Sequence, residues 1–203
     1  MKALFVLAIL FAAPCASTPL GTSQDTFSPD NDGFIRNWLV LAPIPIEEGS
    51  GASEIDKQLV KDEGKIKPKA GDKEKFDGKD VVWKAHKTGD FYIDFLESFG
   101  KERGEDVCGY AVAYVHAEAE QKVKLAIGSN DQCKAYVNGK EVAKFTETRT
   151  LEKDTETAEV TLAKGQNVLV LKVINEKNNW QGCARFLKDG APVKNVKISL
   201  TPQ

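Results

Sequence analysis

Apolar and polar residues alternate through much of the second half of the chain, and this period of two predicts strands. Lys122 to Ile127 reads KVKLAI and Cys133 to Val137 reads CKAYV. Asn138-Gly139 follows, and Glu141 to Phe145 returns. Asn-Gly between two such runs predicts a tight hairpin, because both residues tolerate positive φ. Val107 to Ala117, Ala158 to Leu162, Val168 to Ile174, Cys183 to Leu187 and Val196 to Leu200 complete a series of short strands, with a turn at Lys164–Asn167. Short strands separated by regular turn signals predict a sandwich or barrel.

The first half is less regular. Residues 21–33 are polar and turn-rich (GTSQDTFSPDNDG) and read as an N-terminal arm, residues 18–33 in all. Phe34 to Ile46 is apolar, but Pro43 and Pro45 restrict that end to an edge strand or extended segment. Glu47 to Lys75 is charged, with a short helix expected over Ala52 to Glu63. Val81–Trp83 and Phe91–Phe95 read as short strands, and Trp38 and Trp83 as core residues.

The N-terminus points to a compartment. Lys2, the apolar run Ala3–Ala13 and the small residues Cys15-Ala16-Ser17 have the order of a signal peptide, here residues 1–17. The run is shorter than the ~20 residues a membrane helix needs. Pro14 before Cys15 departs from a lipidation motif. A secreted, periplasmic or cell-surface location is expected, without membrane insertion. Mixed charges with a formal net of −2 give no basic stripe for nucleic acid.

Catalytic and metal signatures are sparse. There is no Gly-x-Ser-x-Gly elbow, no HExxH and no phosphate loop. His116 and Cys108 face the same side of one strand but lie roughly 26 Å apart, too far to act together. No CxxC pair or zinc spacing occurs. Asp30-Asn31-Asp32-Gly33 has the opening of a calcium loop without its bidentate Glu. The chain reads as a non-enzyme with no cofactor, a structural calcium aside.

The stretch Tyr110–Leu187 resembles the galactose-binding-domain-like jelly rolls, such as the sugar-binding domain of family 2 glycoside hydrolases in bacterial secreted proteins. It carries YAVAYV, VKLAIGSNDQ, VNGKEV, LAKGQNVLVLKVINE and NNWQGCARFLKDG in order. The resemblance implies an all-β jelly-roll sandwich of two antiparallel sheets over residues 34–203, with the short helix in the N-terminal half. Relatives include binders of sugars, lipid headgroups and proteins as well as structural spacers, so the fold leaves function open. If the topology holds, the loops Ser129–Gln132 and Asn178–Gln181 lie at one end. Trp180, Asn179, Asn130, Asp131 and Arg185 are then the candidate ligand-binding residues. Trp180 fits two roles, a sugar platform or a cap on the core, and Asn130-Asp131 equally suits a tight turn. Cys133 and Cys183 each begin a strand after one of these loops and become a candidate disulfide, with Cys108 a buried thiol; three free thiols are the alternative. The expected partner is a glycan or cell-envelope component, or another protein.

Overall fold

The computed structural model describes residues 25–99 and 104–203. The expected signal peptide and the start of the arm lie outside the described residues. Among the described residues there are fifteen strands: β1 (Thr26–Phe27), β2 (Asn37–Pro45), β3 (Lys73–Phe76), β4 (Lys79–Val82), β5 (Lys84–Lys87), β6 (Ile93–Asp94), β7 (Val107–Ala117), β8 (Gln121–Asn130), β9 (Cys133–Val137), β10 (Lys140–Phe145), β11 (Glu156–Leu162), β12 (Gly165–Asn175), β13 (Gln181–Lys188), β14 (Ala191–Pro192) and β15 (Val196–Ser199). The helices α1 (Gly51–Glu54) and α2 (Phe95–Phe99) are each about one turn.

The strands form an all-β sandwich. The large sheet runs β1-β15-β7-β12-β9-β10, with β2 beside β7 and β5 outside β2. The small sheet runs β11-β8-β13-β14, with β6 also on β13. From β7 onward the chain repeatedly crosses between the sheets, and all these pairings are antiparallel. Asn138 and Gly139 turn β9 into β10 with φ of 52° and 84°, the positive values a two-residue hairpin needs.

Two cores flank the large sheet. Ala111, Ala113 and Val115 of β7, with Leu171 of β12, face the small sheet and share a core with its Leu125, Ile127 and Phe186. Tyr110, Val112 and Tyr114 face the other way, into a second core with Leu39, Leu41, Ile55 and Trp83. Burial on both faces explains why β7 and β12 read as nearly unbroken apolar runs. Residues 46–83 form the layer that covers the outer face, including the separate β3–β4 hairpin.

That layer is held by buried charge. Lys172 is fully buried on β12 and donates to the carbonyls of Glu54, Ile55 and Lys57 at 2.9, 3.2 and 2.5 Å. Those carbonyls would otherwise accept the next turn of helix, so the helix expected over Ala52–Glu63 stops as α1. The Glu63 carboxylate accepts the Tyr110 and Tyr136 hydroxyls at 2.5 and 2.6 Å. Asp56 adds ion pairs to Lys134 at 2.6 Å and Lys144 at 3.2 Å.

Two further details differ from the expectation. The ladder of β2 with β7 shifts between Leu41 and Ile44, so Pro43, which has no N–H to give, falls at the irregularity. The run Phe91–Phe95 is strand only at Ile93–Asp94 and then becomes α2. Asp94 Oδ1 accepts the Glu97 N–H at 2.9 Å, an N-terminal cap that the Asp-x-x-Glu spacing encodes.

Candidate functional site

The two loops singled out in the sequence are neighbours. Asp131 N–H donates to the Ile174 carbonyl at 3.2 Å, and the Glu176 N–H reaches Asp131 Oδ2 at 3.1 Å. Their side chains are nevertheless turned to internal work. The Trp180 ring is 1% exposed and stacks on Phe95 with centroids 4.7 Å apart. Its Nε1–H donates to the Val173 carbonyl at 3.3 Å. Gly109 of β7 makes room for this pair, since a Cβ there would sit 2.8 Å from the Trp180 ring and 2.9 Å from Phe95. Of its two sequence readings, Trp180 therefore takes the core cap, and no ring face is open to a sugar.

Asp131 is 5% exposed, and its other oxygen accepts the Arg149 N–H at 3.0 Å. Asn130 is buried beside it, whereas Asn179 is exposed on its loop. Arg185 points away from both loops. It pairs with Asp154, donates to the Asp32 carbonyl at 2.9 Å and lies over the Phe34 ring. These five residues do not converge on one ligand-sized space.

Cys108, Cys133 and Cys183 are all free and buried, which corrects the expected Cys133–Cys183 disulfide. Cys133 faces the core, with Arg149 Nη2 at 3.8 Å from its sulfur. Cys183 alternates with the core residues Ala184 and Phe186 and so faces the opposite side of the small sheet, against Gly128. The Asp30–Gly33 motif is a turn. Asp30 Oδ1 accepts the N–H groups of Asp32 and Phe34 at 3.0 and 2.8 Å, and Oδ2 pairs with Arg36 at 3.1 Å.

An open groove of about 400 Å³ lies elsewhere, between edge strand β5 and the β6–α2 corner. Its walls carry His86, Lys87, Asp90, Tyr92, Asp94 and Glu97. The Phe91 and Tyr92 rings meet at 5.1 Å and 82°, an aromatic corner that is half-buried. Phe91 is braced by Phe34 at 5.0 Å. The floor is held from below, because Phe95 begins α2 and stacks on Trp180. Trp180 thus supports the groove and does not line it.

His86 forms one wall. Its Nε2 lies 3.2 Å from Ser98 Oγ and its ring meets Phe99 edge-on at 5.5 Å. Burial holds its pKa below the ordinary 6.5, partly opposed by the charge of Glu97. The imidazole is therefore neutral at pH 7, able to donate or accept. Asp90 Oδ1 takes the Phe91 N–H at 2.7 Å, which leaves its second oxygen for the groove. An aromatic corner beside planar polar groups can take the apolar face and the hydroxyl rim of a pyranose together. The sequence offered one signal for this site: strand alternation through Phe91–Phe95 buries Ile93 and Phe95 and turns Tyr92 and Asp94 outward.

No protein-family model matches the chain, and no curated protein does. Among solved structures, the chain is similar to the PA14 sugar-binding domain from an RTX adhesin, at 11% identity and a TM-score of 0.46 over 83% of this chain and 99% of that one. It is also similar to the PA14 domain of the MpAFP antifreeze protein, at 10% identity and a TM-score of 0.42 over 91% and 93%. Ruminococcus gnavus beta-glucuronidase is a third, at 12% identity and a TM-score of 0.44, with 85% of this chain spanning 30% of that one.

Proposed function

We propose that this chain is a non-catalytic carbohydrate-binding module that acts outside the cytoplasm, with the groove between β5 and α2 as its site. The observation that carries the reading is the half-buried Tyr92 ring, which meets Phe91 edge-on and lines the groove together with His86, Asp90 and Glu97. The sequence resemblance to galactose-binding-like domains points the same way, and the signal-peptide pattern supports export. The non-catalytic part is supported by the thiols. Burial pushes Cys108 and Cys183 up to about 12 and Cys133 up to about 11, so none is a nucleophilic thiolate near neutral pH.

A second reading is a structural or protein-interaction domain of the cell envelope without a small ligand. It is favoured by the closure of the Trp180 loop, where ring and carboxylate are spent internally. A glycan-array screen of the mature chain separates the two, with Tyr92→Ala beside it and calcium present or chelated. Binding lost in Tyr92→Ala supports the first reading. Silence from a folded protein supports the second.

A further inference from the structure

We infer that the groove selects glycans bearing free amino groups. This rests on the carbohydrate reading above and adds the charge of the ligand. Among the described residues, Asp90, Asp94 and Glu97 line the groove with one cation, Lys87, a net charge of −2 with His86 neutral, while Lys153 lies 5.8 Å from the Phe91 ring beside the groove. Among the described residues, none of the three carboxylates has an ion-pair partner. Other acidic side chains do: Asp30 with Arg36, Asp56 with Lys134 and Lys144, Asp80 with Lys73 and Lys75, Glu156 with Arg149.

The groove carboxylates also do not gather for an ion. Among the described residues, no three His, Cys, Asp or Glu side chains are placed to hold a metal. Asp90 precedes the aromatic corner, Asp94 begins α2 and Glu97 lies within it, so the negative charge is spread along the walls. An extended ligand with ammonium groups on a ring scaffold matches both the spread charge and the aromatic corner. Uronic acids are disfavoured by the same field, since like charges in a concave site repel.

The test compares matched hexosamine oligomers, free-amine and N-acetylated, titrated against the mature protein, with oligolysine of equal charge as a control. The free-amine oligomer should bind about fivefold tighter at low salt, the scale of an exposed ion pair, and lose this advantage at high salt. Glu97→Gln, an exposed change, should abolish the preference, and Glu159→Gln on β11, which does not line the groove, should leave it intact. Equal or tighter binding of the N-acetylated form overturns this inference and leaves the carbohydrate reading standing. Equal capture of oligolysine overturns it as well, by reducing the preference to charge alone. No binding of any glycan by the folded protein overturns both.

Discussion

Lys172 Nζ lies 3.4 Å from Glu63 Oε2, and both side chains are almost wholly excluded from solvent. The ammonium's three protons are taken by the carbonyls of Glu54, Ile55 and Lys57, and the carboxylate is held by two tyrosine hydroxyls. The pair fastens the layer of residues 46–83 to the outer face of the large sheet. Lys172→Met leaves the buried Glu63 carboxylate without its counter-charge and takes the ammonium from the three carbonyls. Breaking a buried pair from one side costs about 3–5 kcal/mol. Urea unfolding should show a loss on that scale, and a change below about 1 kcal/mol would contradict the assignment. Tyr136→Phe removes one hydrogen bond and should cost about 1–2 kcal/mol.

Arg149 fixes the segment between β10 and β11. Its guanidinium meets both oxygens of Glu156 at 2.7 and 2.5 Å, reaches the Ser129 carbonyl at 3.0 Å and lies over the Phe145 ring. Lysine cannot reproduce this fork. Both Arg149→Ala and Arg149→Lys should therefore speed limited proteolysis within residues 146–155. Wild-type resistance in the lysine variant would show that charge alone suffices.

Trp180→Ala should act through stability. Truncating a buried tryptophan costs about 3–5 kcal/mol, and here it also removes the support beneath α2. A fall in melting temperature is expected with any loss of binding. A Trp180→Ala protein as stable as wild type, yet unable to bind, would return the ring to the ligand site.

Thiol titration decides the cysteine arrangement. A chain of residues 18–203, which leaves out Cys15, should be inert to a thiol reagent at pH 8 when native, and should show about three reactive thiols when denatured without reductant, one for each of the three buried cysteines. One equivalent would mean that two of them are bridged.

Acid should weaken the fold before the carboxylates titrate. Burial lowers the pKa of both His86 and His116 from 6.5. The unfolded chain therefore takes up protons first as the pH falls. The stability tied to the neutral rings is complete above about 6.5 and is lost through the window between the unfolded and folded values. Melting temperature should fall from pH 7 to pH 5, and more shallowly in the His86→Gln/His116→Gln variant. An equal slope in both proteins would locate the acid sensitivity elsewhere.

The strands of the second half were legible because local signals agreed with the tertiary outcome. Asn138-Gly139 favours a turn, and Val168–Ile174 is rich in β-branched residues and, Lys172 aside, apolar on both faces. The helix expected over Ala52–Glu63 ends early because its carbonyls are taken by Lys172, more than a hundred residues away, which no local pattern reveals. Trp180 lay in a polar loop, Asn-Asn-Trp-Gln, and composition alone could not show that Gly109 opens a slot for its ring. The groove draws on β5, the 88–92 loop and α2, which meet only when the sheets are stacked. Tyr92 and Asp94 were within one recognised strand signal, but their convergence with His86 was not.

We propose that Tyr92, braced edge-on by Phe91, presents the sugar-binding face in place of the buried Trp180. Calorimetric titration of the strongest array glycan against wild type and Tyr92→Ala, with a thermal melt of each, tests it most directly. At least a tenfold loss of affinity, about 1.4 kcal/mol, is expected in Tyr92→Ala, with melting temperature nearly unchanged. Unaltered affinity in Tyr92→Ala would contradict it and place any glycan site elsewhere on the sandwich.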